Sequence, residues 1–141
     1  MSLPKYLYKI TPHSSVDPRF TFPIPIPSSH EMTLPQLDHD DGFVHTSSGP
    51  QVLDTLELFF KDVPQIWLLR MDVGRLSAWR KIEWLPGSGQ SSTQNAPRHV
   101  CAHLHRPWLK GEEIDSFISV AQGKGGWEVA LSDRKVKEWL V

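Results

Sequence analysis

Between residues 50 and 62 apolar side chains return every three or four positions. Val52, Leu53, Leu56, Phe59 and Phe60 share one side of a 3.6-residue period, while Gln51, Asp54, Glu57 and Lys61 take the other. This spacing predicts an amphipathic helix, entered through the hydroxyls of Ser47 and Ser48 and the first-turn proline Pro50. Elsewhere the period shortens. Residues 5–11 form an aromatic and β-branched run closed by Pro12, as an opening strand would be, with Lys9 near its end. Phe43 and Val44 favour a strand just after Gly42, which places His45 at a strand-to-helix junction. Residues 65–71 are almost continuously apolar and too short for another helix before Asp72 and Gly74, so they predict a central strand.

The second half reads as more strands. Over residues 81–85, Lys81, Glu83 and Leu85 fall on one face and Ile82 and Trp84 on the other. Strands are also expected at 100–104, ended by Pro107, at 113–121, and briefly at 127–130. Residues 76–79 and 123–126 are turns, and 12–35 and 86–97 are loops, the first an extended proline-rich surface cover. Ser132 is expected to cap a terminal helix that turns Val136, Trp139 and Leu140 inward. So many consecutive strands do not suit a doubly wound parallel sheet, and the predicted class is α+β.

Composition narrows the picture. A chain of 141 residues supports one domain, 1–141, and six Trp with six Phe must supply much of its buried area. A net charge of -1 gives no long-range field for DNA or an anionic membrane. The single cysteine allows no internal disulfide, and no signal-peptide core or apolar span of about 20 residues occurs. A cytoplasmic protein is expected.

Seven histidines make imidazole chemistry the first to consider. His99, Cys101, His103 and His105 alternate, so a strand projects all four to one face. Same-face neighbours stand roughly 6.6 Å apart, so two but not four can share one metal ion. A metal-dependent hydrolase or isomerase on His45, His99 and His103 is therefore an alternative, and no metal is expected in the leading reading. Cys101 reads as a small buried side chain, with a thiolate nucleophile as the alternative. Trp84 and Trp108 are candidate stacking walls for an aromatic ligand.

The run Leu37-Asp38-His39-Asp40-Asp41-Gly42-Phe43-Val44-His45-Thr46-Ser47, followed by Gln51-Val52 and Phe59-Phe60, resembles the signature of the family called domain of unknown function 952. Tyr8-Lys9-Ile10 resembles its opening strand, and Lys81-Ile82-Glu83 with residues 101–107 its later pattern. The resemblance spans about residues 5–121. It leaves the proline-rich loop 12–35 as an insertion and 122–141 as a C-terminal extension. It implies an ADP-ribosyltransferase-like fold, with small split or strongly bent, mainly antiparallel sheets and two or three helices. It also implies a cleft for NAD or another nucleotide.

On that resemblance the catalytic candidates are His45, Glu83 and His103. Cleaving a nicotinamide–ribose bond develops positive charge, which a carboxylate such as Glu83 would stabilise. Ligand-binding candidates are Lys9, Phe43, Thr46, Ser47 and Arg106: His45 and Ser47 fix the ribose, and Lys9 or Arg106 neutralises the pyrophosphate. Ser47 is also expected to cap the helix. NAD as substrate is the implied cofactor, with a small molecule or nucleotide as partner. The alternative from another class is a binding module that holds such a ligand without turnover.

Overall fold

The structure, a computed structural model, describes residues 3–86 and 100–141. His99 and most of the expected 86–97 loop lie outside the described residues. Six strands are present among them: β1 (Tyr6–Pro12), β2 (Phe43–His45), β3 (Gln65–Asp72), β4 (Ile82–Pro86), β5 (Val100–His105) and β6 (Ser116–Ala121). They form two antiparallel three-stranded sheets, ordered β1-β3-β6 and β2-β5-β4. A bridge joins the sheets, Tyr8 N–H donating to the Ser47 carbonyl at 2.7 Å and Ser47 N–H to the Tyr8 carbonyl at 2.9 Å. The expectation of small, split, antiparallel sheets holds at this level.

The sheets differ in how they are covered. In β3 the even-numbered Ile66 and Leu68 join one core with Tyr8, Ile10, Val52, Leu56 and Trp127. The odd-numbered Leu69 and Met71 join the other, with Leu7, Val44, Ala102 and Leu104. The near-continuous apolar run of β3 is thus a strand buried on both faces. Each fully buried aliphatic side chain there contributes about 1.5–3 kcal/mol. In the second sheet Val44, Ala102 and Leu104 are buried and Ile82 and Trp84 pack against the same core. The alternate positions Phe43, His45, Cys101, His105, Glu83 and Leu85 are half-buried. One face of this sheet therefore carries nearly all the polar side chains that the alternation predicted.

Among the described residues five α-helices occur rather than two or three: α1 (Gln36–Asp41), α2 (Val52–Phe59), α3 (Val73–Leu76), α4 (Gly126–Leu131) and α5 (Arg134–Trp139). The extra ones are short and set by local caps. Gly42 ends α1 at φ 77°, where its N–H reaches the Asp38 carbonyl, and the Asp72 carboxylate accepts from Arg75 N–H at the start of α3. Residues 127–130 belong to α4, not to a strand, because Trp127 and Leu131, four apart, turn into the core together and the Trp127 indole donates to the Phe60 carbonyl. Two caps also move by one residue. Ser48, not Ser47, opens the turn into α2, its N–H taking the Gln51 side chain at 2.9 Å, and Asp133, not Ser132, caps α5. The proline-rich segment covers the core. Phe20, Met32 and Leu34 are buried, and Met32 N–H bonds the Leu109 carbonyl. A methyl group on Gly111 would stand 2.0 Å from the Pro27 carbonyl oxygen, so only glycine admits that crossing.

Candidate functional site

Register places three of the predicted residues in one row. On the open face of the second sheet His45 pairs with His103, and His103 with Glu83, so the three are direct cross-strand neighbours. The His45 and His103 rings meet edge to face, 4.9 Å between centroids. Phe43 packs edge-on against both His103 and His105.

Asp38 organises the left end of this row. It lies on α1, and the Gly42 turn folds its carboxylate back over β2. Its Oδ1 accepts from the His45 ring at Nδ1 (2.6 Å) and from His45 N–H (3.3 Å), while Oδ2 faces the Lys9 ammonium at 2.6 Å. Lys9 also donates to the His45 carbonyl at 2.9 Å. Both members of the pair are almost wholly buried, with side-chain exposures of 5% and 1%. Burial pulls the Lys9 ammonium below its usual range, with the Asp38 charge opposing it. Burial pushes the Asp38 carboxyl up, but the His45 hydrogen bond and the Lys9 charge outweigh that and hold it below the usual carboxylate range.

The two imidazoles are committed differently. His45 Nδ1 faces Asp38, and its Nε2 faces the Asp41 carboxylate at 3.0 Å. His103 instead donates Nδ1–H to the Cys101 carbonyl at 3.0 Å, which leaves the lone pair on Nε2. Burial first, and then the neighbouring His45, lower the pKa of His103, so the neutral ring is favoured.

Beside these rings lies a cavity of about 240 Å³. Its walls come from β1, α1, β2, α2 and β5: Tyr8, Ile10, Pro35, Leu37, Phe59 and Phe60 make it largely apolar. Lys9, Asp38, His45, Thr46, Ser47, Thr55, Cys101 and His103 supply its polar portion. Its size falls below the roughly 300–1,000 Å³ of pockets that enclose drug-sized ligands. A single ring system fits; a dinucleotide is not enclosed.

The predicted site residues separate into two groups. Lys9, His45, Thr46, Ser47 and His103 line the cavity. Thr46 spends its hydroxyl on the Ala102 carbonyl at 2.6 Å, and Ser47 shares its hydroxyl with Thr55 at 2.9 Å, so both are already hydrogen-bonded. Lys9 is neutralised by Asp38 and is not a free pyrophosphate clamp. Phe43, Glu83 and Arg106 are not among the lining residues. Glu83 turns to His105, which meets it at 2.6 Å and holds its carboxyl below the usual range. Arg106 is exposed at φ 80°. Trp84 packs against the core and Trp108 stacks on the Arg80 guanidinium, 4.0 Å away, so neither is a cavity wall. Cys101 lines the cavity, but burial raises its thiol pKa, which opposes the thiolate reading. Among the described residues no three His, Cys, Asp or Glu side chains are grouped to hold a metal ion, and His99 lies outside them.

Sequence reasoning missed Asp38 and Asp41 as partners of His45, and Thr55. No sequence signal marks Asp38, because its role depends on how the Gly42 turn folds α1 back over β2.

A family model described as "Protein of unknown function (DUF952)" matches residues 26–114, well over half of the chain. No curated protein matches. Among solved structures, the crystal structure of protein CC0527 from Caulobacter crescentus is similar with a TM-score of 0.59 at 19% identity, covering 86% of this chain and 90% of that one. A double mutant of the same protein gives the same TM-score and coverage at 18% identity. At such identity the likeness concerns the fold. Among the described residues no helix is long and apolar enough to cross a membrane.

Proposed function

We propose, for a chain that belongs to the DUF952 family, that the cavity between the two sheets binds a small planar molecule, mostly apolar and carrying one carbonyl-containing polar edge. The observation that carries this reading is the imidazole pair at a largely apolar cavity: His103 offers a lone pair, and the Nε2 of His45 faces only the half-exposed Asp41. An acceptor beside a donor is the complement of a carboxamide or lactam edge, as in nicotinamide or a nucleobase. Apolar walls supply the affinity and the two imidazoles the orientation.

Calorimetric titration with nicotinamide, uracil and NAD tests it. Saturable binding of at least one ring compound, weakened by His103→Ala, is expected; absence of binding by all three refutes the reading.

NAD as substrate of an ADP-ribosyltransferase-like fold is the fuller version. It draws support from two small antiparallel sheets meeting beside the cavity and from Glu83 standing in the His45–His103 row. It requires the adenosine half to lie outside the cavity and Glu83 to release His105. Nicotinamide release from NAD, abolished by Glu83→Gln, distinguishes it from binding alone.

A further inference from the structure

We infer that His45 and His103 form an acid–base pair that moves a proton between two positions of one bound carbonyl compound, making this an isomerase-type site. The inference rests on the ligand reading above and adds chemistry to it.

His45 faces a carboxylate from each ring nitrogen, Asp38 at 2.6 Å and Asp41 at 3.0 Å, whereas His103 faces a backbone carbonyl at Nδ1, which makes it a donor there and leaves Nε2 as the acceptor. The rings are 4.9 Å apart between centroids, close enough to address adjacent atoms of one small molecule. Two imidazoles in unlike surroundings, one between carboxylates and one against a backbone carbonyl, are suited to serve as acid and base. His103 is 4% exposed, and the cavity walls beside it are largely apolar, which keeps water from competing for the transferred proton.

The step balances within the site. His103 Nε2 takes a proton from the carbon next to the carbonyl, and the carbonyl oxygen takes the Nε2 proton of His45. The C–H bond breaks, its electron pair forms the C=C bond, and an enol results. Charge passes from one ring to the other, so the pair holds one positive charge throughout. Where the compound carries a C=C bond between its β and γ carbons the enol is a dienol, and His103 returns the proton to the γ carbon as the enol O–H gives its proton back to His45, which moves the C=C bond into conjugation with no oxidant or co-reactant. Asp41 must yield Nε2 when the carbonyl arrives; its side chain is 39% exposed and is free to turn to solvent. Asp38, 1% exposed and held by Lys9, stays and keeps the ring oriented.

Several titratable groups face the pair. They are Lys9 from β1, Asp38 and Asp41 from α1, Cys101 and His105 from β5, and Glu83 from β4; α2 adds only Thr55 and apolar side chains.

The test uses the intact chain and 1-indanone, a flat ketone of one fused ring system. Proton NMR follows exchange of its α-hydrogens in deuterium oxide, and saturation transfer independently reports whether it is bound. Exchange at least about a hundredfold faster than with His103→Gln, under conditions where both proteins bind the ketone, is expected. Ring nitrogen NMR at the same pH should show His45 protonated at both nitrogens and His103 at Nδ1 alone. Equal exchange with wild type and His103→Gln despite binding would overturn the acid–base role and leave the ligand reading standing. Failure of ring compounds to bind would remove both. A His103 protonated at Nε2 would also overturn the proposal, whatever the exchange rate.

Discussion

Two buried ion pairs, Lys9–Asp38 and Arg80–Glu113, look alike and end differently. Arg80 and Glu113 have side-chain exposures of 1% and 0%. The Arg80 guanidinium donates to the carbonyls of His105, Arg106 and Trp108 as well as to Glu113. Glu113 accepts in addition from Lys110 N–H and the Trp79 indole. Apart from Arg80 Nε, its polar atoms close on backbone and fixed donors, which staple the turn after β5 to the start of β4. Lys9–Asp38 is as deeply buried, but its chain of contacts continues through His45 to the half-exposed Asp41, at a cavity wall. The lesson is that burial of charge does not mark a site; what matters is whether the network terminates on the backbone or on a titratable side chain beside open volume.

Removing one partner of the staple is the largest expected effect. Glu113→Ala should lower unfolding free energy by about 3–5 kcal/mol in urea titration, because it strands a buried guanidinium. Ligand affinity of the folded fraction should be unchanged, and a parallel loss of affinity would break the distinction drawn above.

Replacing both partners sharpens the contrast. Arg80→Met with Glu113→Leu should recover little of the lost stability, because the carbonyls of His105, Arg106 and Trp108 then lose their donor and the Lys110 N–H and Trp79 indole their acceptor. Lys9→Met with Asp38→Leu should recover more, by about 1–3 kcal/mol, because it strands only the groups of His45 that face the pair. Equal recovery in the two double variants would mean that the backbone bonds of Arg80 and Glu113 do not set the two networks apart.

Acid provides a finer probe. The Asp38 pKa is depressed in the folded state, so its stabilisation is fully present above the unfolded value of about 3.9 and is lost as pH falls through the folded value. The stability difference between wild type and Asp38→Asn should therefore narrow as thermal unfolding is followed below about pH 4. The smallest effect belongs to His103, whose folded pKa is depressed. Folded protein then binds fewer protons than unfolded, so stability is lost as pH falls below the unfolded value of about 6.5. His103→Gln should flatten that slope; an unchanged slope would contradict the neutral ring.

Strand alternation made much of this face legible. Once residues 100–105 and 81–85 are strands, the period of two sets His103, His105 and Glu83 on one face, and only the pairing register remained to bring His45 beside them. Asp38 was not legible, because its role depends on how α1 and Gly42 aim a carboxylate backward across β2, a tertiary consequence of a single left-handed residue. Lys9 was misread as a free cation for the same reason, since its partner lies 29 positions away in the chain. Residues 127–130 show the other limit: four apolar-rich positions after a glycine turn satisfy a strand or a helical turn equally, and only packing of Trp127 against α2 decides.

The Tyr8–Ser47 bridge gives the cavity an asymmetry. Two antiparallel hydrogen bonds tie the sheets together where they meet, like the spine of a book, and both residues line the cavity. The end beside the bridge is tied by both sheets, while the rim carries Leu37 and Phe59, both exposed. Ligands should therefore be selected sharply for the group that reaches the spine and loosely for whatever trails out between the pages.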